Sequence, residues 1–171
     1  MEDLIYCQRD IPKEQWRYGF RSSAATGCGW IATYNALRLL GRPAEPEELI
    51  RYYERQLPLI HGNLGTTILA PAFYFKKKGY RVEWASCYDR FDDLAKASDV
   101  CILFYRWRDK WKLGAHFICL QHTERGFIGY NTYRNSKGPN HYGESLANFL
   151  MAKKYFGAVL IGIRKPGEET K

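Results

Sequence analysis

No stretch of this 171-residue chain holds the ~20 consecutive apolar residues of a membrane-spanning helix; its longest apolar runs are residues 100–105 and 157–163. The N-terminus, Met1-Glu2-Asp3-Leu4, is acidic and lacks the basic and apolar regions of a secretory signal. Cysteine is sparse and uneven: Cys7, Cys28, Cys87, Cys101 and Cys119. An odd number at irregular spacing is not a disulfide framework. Reduced thiols in a cytoplasmic setting are the expectation. Cys119-x-x-His122 is half of a zinc site with no second pair nearby, so no metal or other cofactor is expected. Internal repeats and low-complexity tracts are absent. So are zinc-finger, recognition-helix and aromatic RNA-binding motifs, which leaves nucleic-acid binding without a carrier.

Aromatics are abundant, at 16% with 13 Tyr and 5 Trp, which suits a strongly packed core and a surface that grips a ligand. Apolar residues at 46% and charged residues at 26% are the balance of a globular protein. The length suits a single domain over residues 1–171, with 165–171 a charged, frayed tail after Pro166-Gly167. The net charge of +8 favours acidic partners. The densest basic cluster is Arg106, Arg108, Lys110 and Lys112, alternating with Trp107 and Trp111. A turn so built can hold an acidic or aromatic peptide, or be a solvated hairpin. Lys76-Lys77-Lys78 reads as a helix end, where cations complement the dipole.

Residues 4–8 read as extended, and a polar loop follows. A helix starts near Cys28 and runs through Trp30, Ile31, Tyr34, Leu37 and Leu40 to Gly41, with apolar residues every three or four positions. Pro46, Glu47 and Glu48 open a second helix carrying Leu49, Ile50, Tyr53 and Leu57. Thr66 or Thr67 caps a third, delayed or kinked by Pro71 and ended by Gly79. Then the period shortens. Strands are expected at 80–85, 100–107, 115–121, 127–131 and 158–164, with helices at 89–97 and 143–153. The fold class is α+β: an N-terminal helical half packed on a C-terminal, mainly antiparallel sheet, with a ligand cleft between them.

Cys28 stands between Gly27 and Gly29 at a helix start. Free N–H groups and the dipole favour a thiolate there. Gly27 supplies a turn, and the two glycines allow close approach of a substrate backbone. The bland alternative is a small buried capping residue. A cysteine nucleophile needs a base. Of His61, His116, His122 and His141, His116 fits best, at the start of an apolar strand. His61 and His141 lie in glycine-containing loops, and His122 is at the strand's far end. Cys119 has the opposite strand parity to His116 and, with Cys101, reads as core. Asn131 ends the next strand and would lie beside His116 in an antiparallel pair, placed to orient the imidazole. The backbone N–H of Cys28, with Gln8 or Gln15, can face an oxyanion.

The series Gln8, Gly27-Cys28-Gly29, Gly114-Ala115-His116-Phe117 and Asn131 resembles the papain-like cysteine peptidases. It is most similar to the bacterial branch containing the bacteriocin-leader (double-glycine) processing peptidases and their stand-alone relatives. Trp16, Tyr18-Gly19 and Ser22-Ser23 resemble that branch's N-terminal block, and the likeness runs from Gln8 to Tyr133. It implies a papain-like fold and a metal-free enzyme that cleaves a peptide or isopeptide bond through a thioester. Cys28 would be nucleophile, His116 base and then acid, Asn131 orienter and Gln8 the oxyanion donor. Gln8 lies twenty residues before Cys28, farther than in the leader-processing enzymes, so Gln15 stays its rival. An inactive peptide-binding module, or an amidase or acyltransferase on the same triad, is the alternative.

Overall fold

The computed structural model describes residues 4–56, 66–109, 112–132 and 135–167. Leu57, His61, Lys110, Trp111, Tyr133, the first three residues and tail residues 168–171 lie outside the described residues.

The chain opens with a 3-10 turn at Gln8–Asp10, where an extended run through residue 8 was expected. The Asp10 N–H donates to the Cys7 carbonyl and closes it. Two short strands, β1 (Arg17–Tyr18) and β2 (Arg21–Ser22), pair across Gly19, whose φ of 59° is in glycine's favoured left-handed region. At two residues each they are too short to leave an alternation in sequence. One helical turn, α1 (Ser23–Thr26), leads into α2 (Cys28–Leu39).

Residues 29–37 of α2 are all buried, so the helix is wrapped by its neighbours rather than packed on one face. Gly41, at φ 71°, ends it, and the Arg42 N–H returns to the Leu37 carbonyl. Helix α3 (Pro46–Arg55) begins on its proline and buries Leu49, Ile50 and Tyr53. Helix α4 (Ala70–Lys77) starts later than a cap at Thr66 or Thr67 would give. Pro71 sits in its first turn, where a missing N–H costs nothing. Thr66 is buried and bonds the Tyr18 hydroxyl instead. Gly79, at φ 84°, closes the helix after Lys76 and Lys77.

The second half supplies β3 (Arg81–Ala85), α5 (Phe91–Lys96), β4 (Val100–Asp109), β5 (Lys112–Thr123), β6 (Gly126–Tyr130), β7 (Asn140–Gly143), α6 (Leu146–Ala152) and β8 (Phe156–Arg164). Six of these form an antiparallel sheet in the order β3-β8-β4-β5-β6-β7. The last strand is thus inserted between β3 and β4. One sheet face, with Phe104, Phe117, Cys119, Ile161 and Ile163, packs against α2, α3 and α4. The other, with Leu103, Tyr105, Ile118, Leu120 and Leu160, lies under Phe91 and Leu94 of α5 and Leu146 and Leu150 of α6. The helical half covers one sheet face, as expected, and α5 and α6 cover the other as well. This double cover accounts for the unbroken apolar run of β4, whose residues 100–105 are all buried. Among the described residues, no helix is long and apolar enough to cross a membrane.

Candidate active site

Strand β5 outruns its neighbour. Strand β4 pairs with it from Lys112 to Leu120, but β6 pairs only from Cys119 onward. Among the described residues, 112–118 therefore have an edge with no ladder partner. The first turn of α2 comes to this edge. The Phe117 backbone N–H lies against the Cys28 sulfur, as do the N–H groups of Gly29 and of Cys28 itself. Side chains alternate along a strand, so Phe117 faces the helical half and His116 the opposite face, beside Tyr105 and Ile118. Cys28 and His116 thus reach one strand edge from opposite sides.

The imidazole is held from its far side. His116 Nε2 lies 2.6 Å from the main-chain carbonyl oxygen of Asn131. A carbonyl only accepts, so Nε2 carries the proton and Nδ1 the lone pair. Burial pushes the His116 pKa down, against the carbonyl, which pushes it up. The ring is therefore neutral at neutral pH. Asn131 follows β6 at φ 59°, a left-handed conformation that asparagine tolerates. This turn aims its carbonyl at His116 and its side chain elsewhere. Asn131 Oδ1 accepts from the Gln8 N–H at 2.8 Å, and Nδ2 donates to Gln8 Oε1 at 3.3 Å. Gln8 Nε2 donates to the Ala24 carbonyl at 3.1 Å. The expected neighbourhood of Asn131 and His116 is present, but the contact is main-chain rather than through the asparagine amide.

Gln8 is tied to Asn131, while Gln15 is exposed in the following turn. His122 is exposed against Phe127, and His141 is exposed on β7. Cys101 and Cys119 are buried core residues.

Cys28 departs from expectation. Burial raises its thiol pKa, and the three N–H groups that favour the thiolate only partly offset this. The helix start is electrostatically favourable, but desolvation outweighs it. The thiol and the imidazole are not hydrogen-bonded to each other: the ring's bond goes to Asn131 and the sulfur's contacts are backbone N–H groups. The flanking glycines also serve a different purpose from the expected one. Gly27 has an ordinary φ of −79° and is no sharp turn. A Cβ there would stand 2.6 Å from the Ser23 carbonyl and the Trp30 indole nitrogen. At Gly29 it would stand 2.6 Å from Thr66 Oγ1. Both are buried against their own chain, so neither presents backbone to a substrate. Gly29→Ala is expected to cost about 1–3 kcal/mol by overpacking, read as a lower denaturation midpoint.

A cleft of about 540 Å³ opens beside His116. Gln8, Asn131 and Trp107 line it, and Cys28, partly exposed, is not among its lining residues. Trp107 packs against Gly114, where a Cβ would stand 2.2 Å from the indole. Tyr105 and Tyr155 also line the cleft, and no sequence signal marked them, since one reads as core strand and the other as a turn. Alkylation by iodoacetamide is expected to strike exposed Cys87 first. Cys28 should react slowly at neutral pH and accelerate only above about pH 9, which quantitative mass spectrometry at several pH values will read.

A helical half carrying a cysteine at a helix start, set on an antiparallel sheet carrying a histidine, is the papain-like peptidase fold. The chain is similar to a solved structure, the peptidase domain of Streptococcus ComA, a bi-functional ABC transporter involved in a quorum-sensing pathway. The TM-score is 0.51, and the match covers 81% of this chain and 90% of that one at 14% identity. That likeness concerns the fold. No family model and no curated protein matches the sequence.

Proposed function

We propose that the protein is a cysteine peptidase that cleaves a peptide or isopeptide bond through a thioester at Cys28. One observation carries this reading. His116 Nε2 is bonded to the carbonyl of Asn131, itself tied to Gln8, so Nδ1 is the basic nitrogen, and the next residue on the same strand, Phe117, puts its N–H against the Cys28 sulfur. With both groups neutral, the cycle begins with proton transfer, not with a preformed ion pair. The sulfur attacks the carbonyl carbon as Nδ1 takes its proton. The tetrahedral oxyanion then collapses, and His116 returns the proton to the leaving amine. Water attacks the thioester with the same base, releasing the acid and restoring the thiol. Gln8 uses one Nε2 hydrogen on Ala24, and the other is its contribution to the oxyanion.

The acyl-enzyme is the direct test. Quenched incubation with a peptide library should add acyl mass to Cys28 and to no other cysteine. A nucleophile challenge then separates a peptidase, resolved by water, from an acyltransferase, resolved by amine. Gln8→Ala should lower kcat by about 10- to 10³-fold with little change in KM, as for loss of one oxyanion donor. Asn131→Ala should cost less than loss of His116, because a main-chain carbonyl remains to hold the ring.

The partly buried thiol, its pKa raised, supports a second reading: a papain-like module that holds a peptide without cleaving it. Peptide binding with no acylation of Cys28 at any pH would favour it.

A further inference from the structure

The cleft beside His116 has an aromatic wall that the proposed chemistry does not use. Tyr105 and Tyr155 stack with centroids 4.5 Å apart and planes 15° from parallel. Trp107 stands 6.0 Å from Tyr105, and Tyr105 meets the His116 ring edge-on at 6.2 Å. The wall is rigidly built. Trp107 is fixed by its seat on Gly114. Tyr155 is fixed through its main chain, whose N–H donates to the Leu150 carbonyl and whose carbonyl accepts from the Tyr88 hydroxyl at 3.0 Å. Trp107 and Tyr155 remain partly exposed over the buried Tyr105, which backs them, so the wall's surface is theirs.

Its side of the strand gives its role. Cys28 comes to β5 from the helical face, whereas His116, Tyr105 and Trp107 share the other face. The wall therefore lies beyond the imidazole as seen from the sulfur. A bond cleaved at Cys28 leaves its acyl part on sulfur and passes its amine across His116. A substrate side chain seated on this wall thus belongs to the leaving amine. Among the described residues, Arg9 is the only charged residue lining the cleft, so a lysine or arginine side chain would meet a like charge and no carboxylate from them.

We propose that Tyr105, Trp107 and Tyr155 form a subsite selecting an aromatic or large apolar residue on the leaving-group side of the scissile bond. This rests on the peptidase reading for the direction of cleavage, but the wall's preference can be measured without it. Ligand-observed NMR on the Cys28→Ala protein, with phenylalaninamide, glycinamide and aspartic acid amide as probes, should give phenylalaninamide a Kd at least ~10-fold below the other two. Trp107→Ala in that background should shrink the difference to less than about twofold, and Trp107→Phe should keep most of it. Cleavage of a peptide library by the unmodified protein, with sequencing of the new termini, is the second arm. Aromatic and large apolar residues should be enriched at new N-termini.

The outcomes separate. Amide preference without cleavage supports the subsite and defeats the peptidase reading. Cleavage with equal binding of the three amides defeats the subsite and spares the peptidase. Enrichment at new C-termini instead would overturn the assignment to the leaving group, and equal binding with no cleavage would overturn both.

Discussion

Cys28→Ala is expected to take turnover to background, a loss of roughly 10⁵-fold or more, because the proposed acyl intermediate forms on its sulfur. The fold should survive. The change removes one sulfur atom from a partly buried position whose neighbours are chiefly backbone N–H groups, and a cost near 1 kcal/mol is expected. Near-UV circular dichroism and the denaturation midpoint will check this alongside activity. Cys28→Ser should be almost as inactive, since a hydroxyl gives up its proton far less readily than a thiol. Activity in Cys28→Ala within tenfold of the parent would remove the mechanism, and Cys87→Ala, at an exposed thiol that does not line the cleft, is the matched control.

His116→Ala is the second large effect, and its pH dependence is more telling than its size. The loss should be about 10²- to 10⁴-fold, the usual contribution of a positioned base. In the parent protein the imidazole must be neutral to take the thiol proton. Burial lowers its pKa from the ordinary 6.5, so neutrality extends to lower pH. The acid limb of kcat/KM should thus fall below pH 6.5. The Cys28 thiol is raised above 9.0, so the alkaline limb lies beyond that value. The plateau between them is broad. Without His116 the acid limb should vanish, and the residual rate should climb with pH as the thiol ionises unaided. An unchanged acid limb in the variant would assign it to another group and dismiss His116 as base.

The two variants also probe a geometric oddity. The thiol is not among the groups lining the cleft, and its donors belong to the backbone rather than to the imidazole. Bonds between catalytic groups often tighten only when substrate is in place. If that holds here, a peptide aldehyde should bind the parent protein far more tightly than Cys28→Ala, because only the parent can form the hemithioacetal.

Much of this was readable from residue order. Trp30, Ile31, Tyr34 and Leu37 announce α2, and Gly41 and Gly79 announce helix ends that have positive φ in the structure. Pro46 with two glutamates announces α3. Cys28 falls at the first residue of its helix, and His116 and Asn131 meet, as chain order suggested. Other features were out of reach. Strand β7 is four residues in a glycine-containing stretch, too short for a period to declare itself. A helix start at Cys28 implied an easily ionised thiol, but burial reversed the balance. An asparagine beside a histidine implied an amide contact, but a positive φ at Asn131 turned the carbonyl inward instead.

Helices, caps and the alternation of strands depend on neighbours within about four positions, and so they are written locally in these 171 residues. Which strand lies next to which, which glutamine joins Asn131, and how deeply the sulfur and imidazole are desolvated depend on contacts between residues far apart in the chain. Strand β8 between β3 and β4, Gln8 bonded to a residue 123 positions away, and the neutral state of His116 were therefore settled only by the folded molecule.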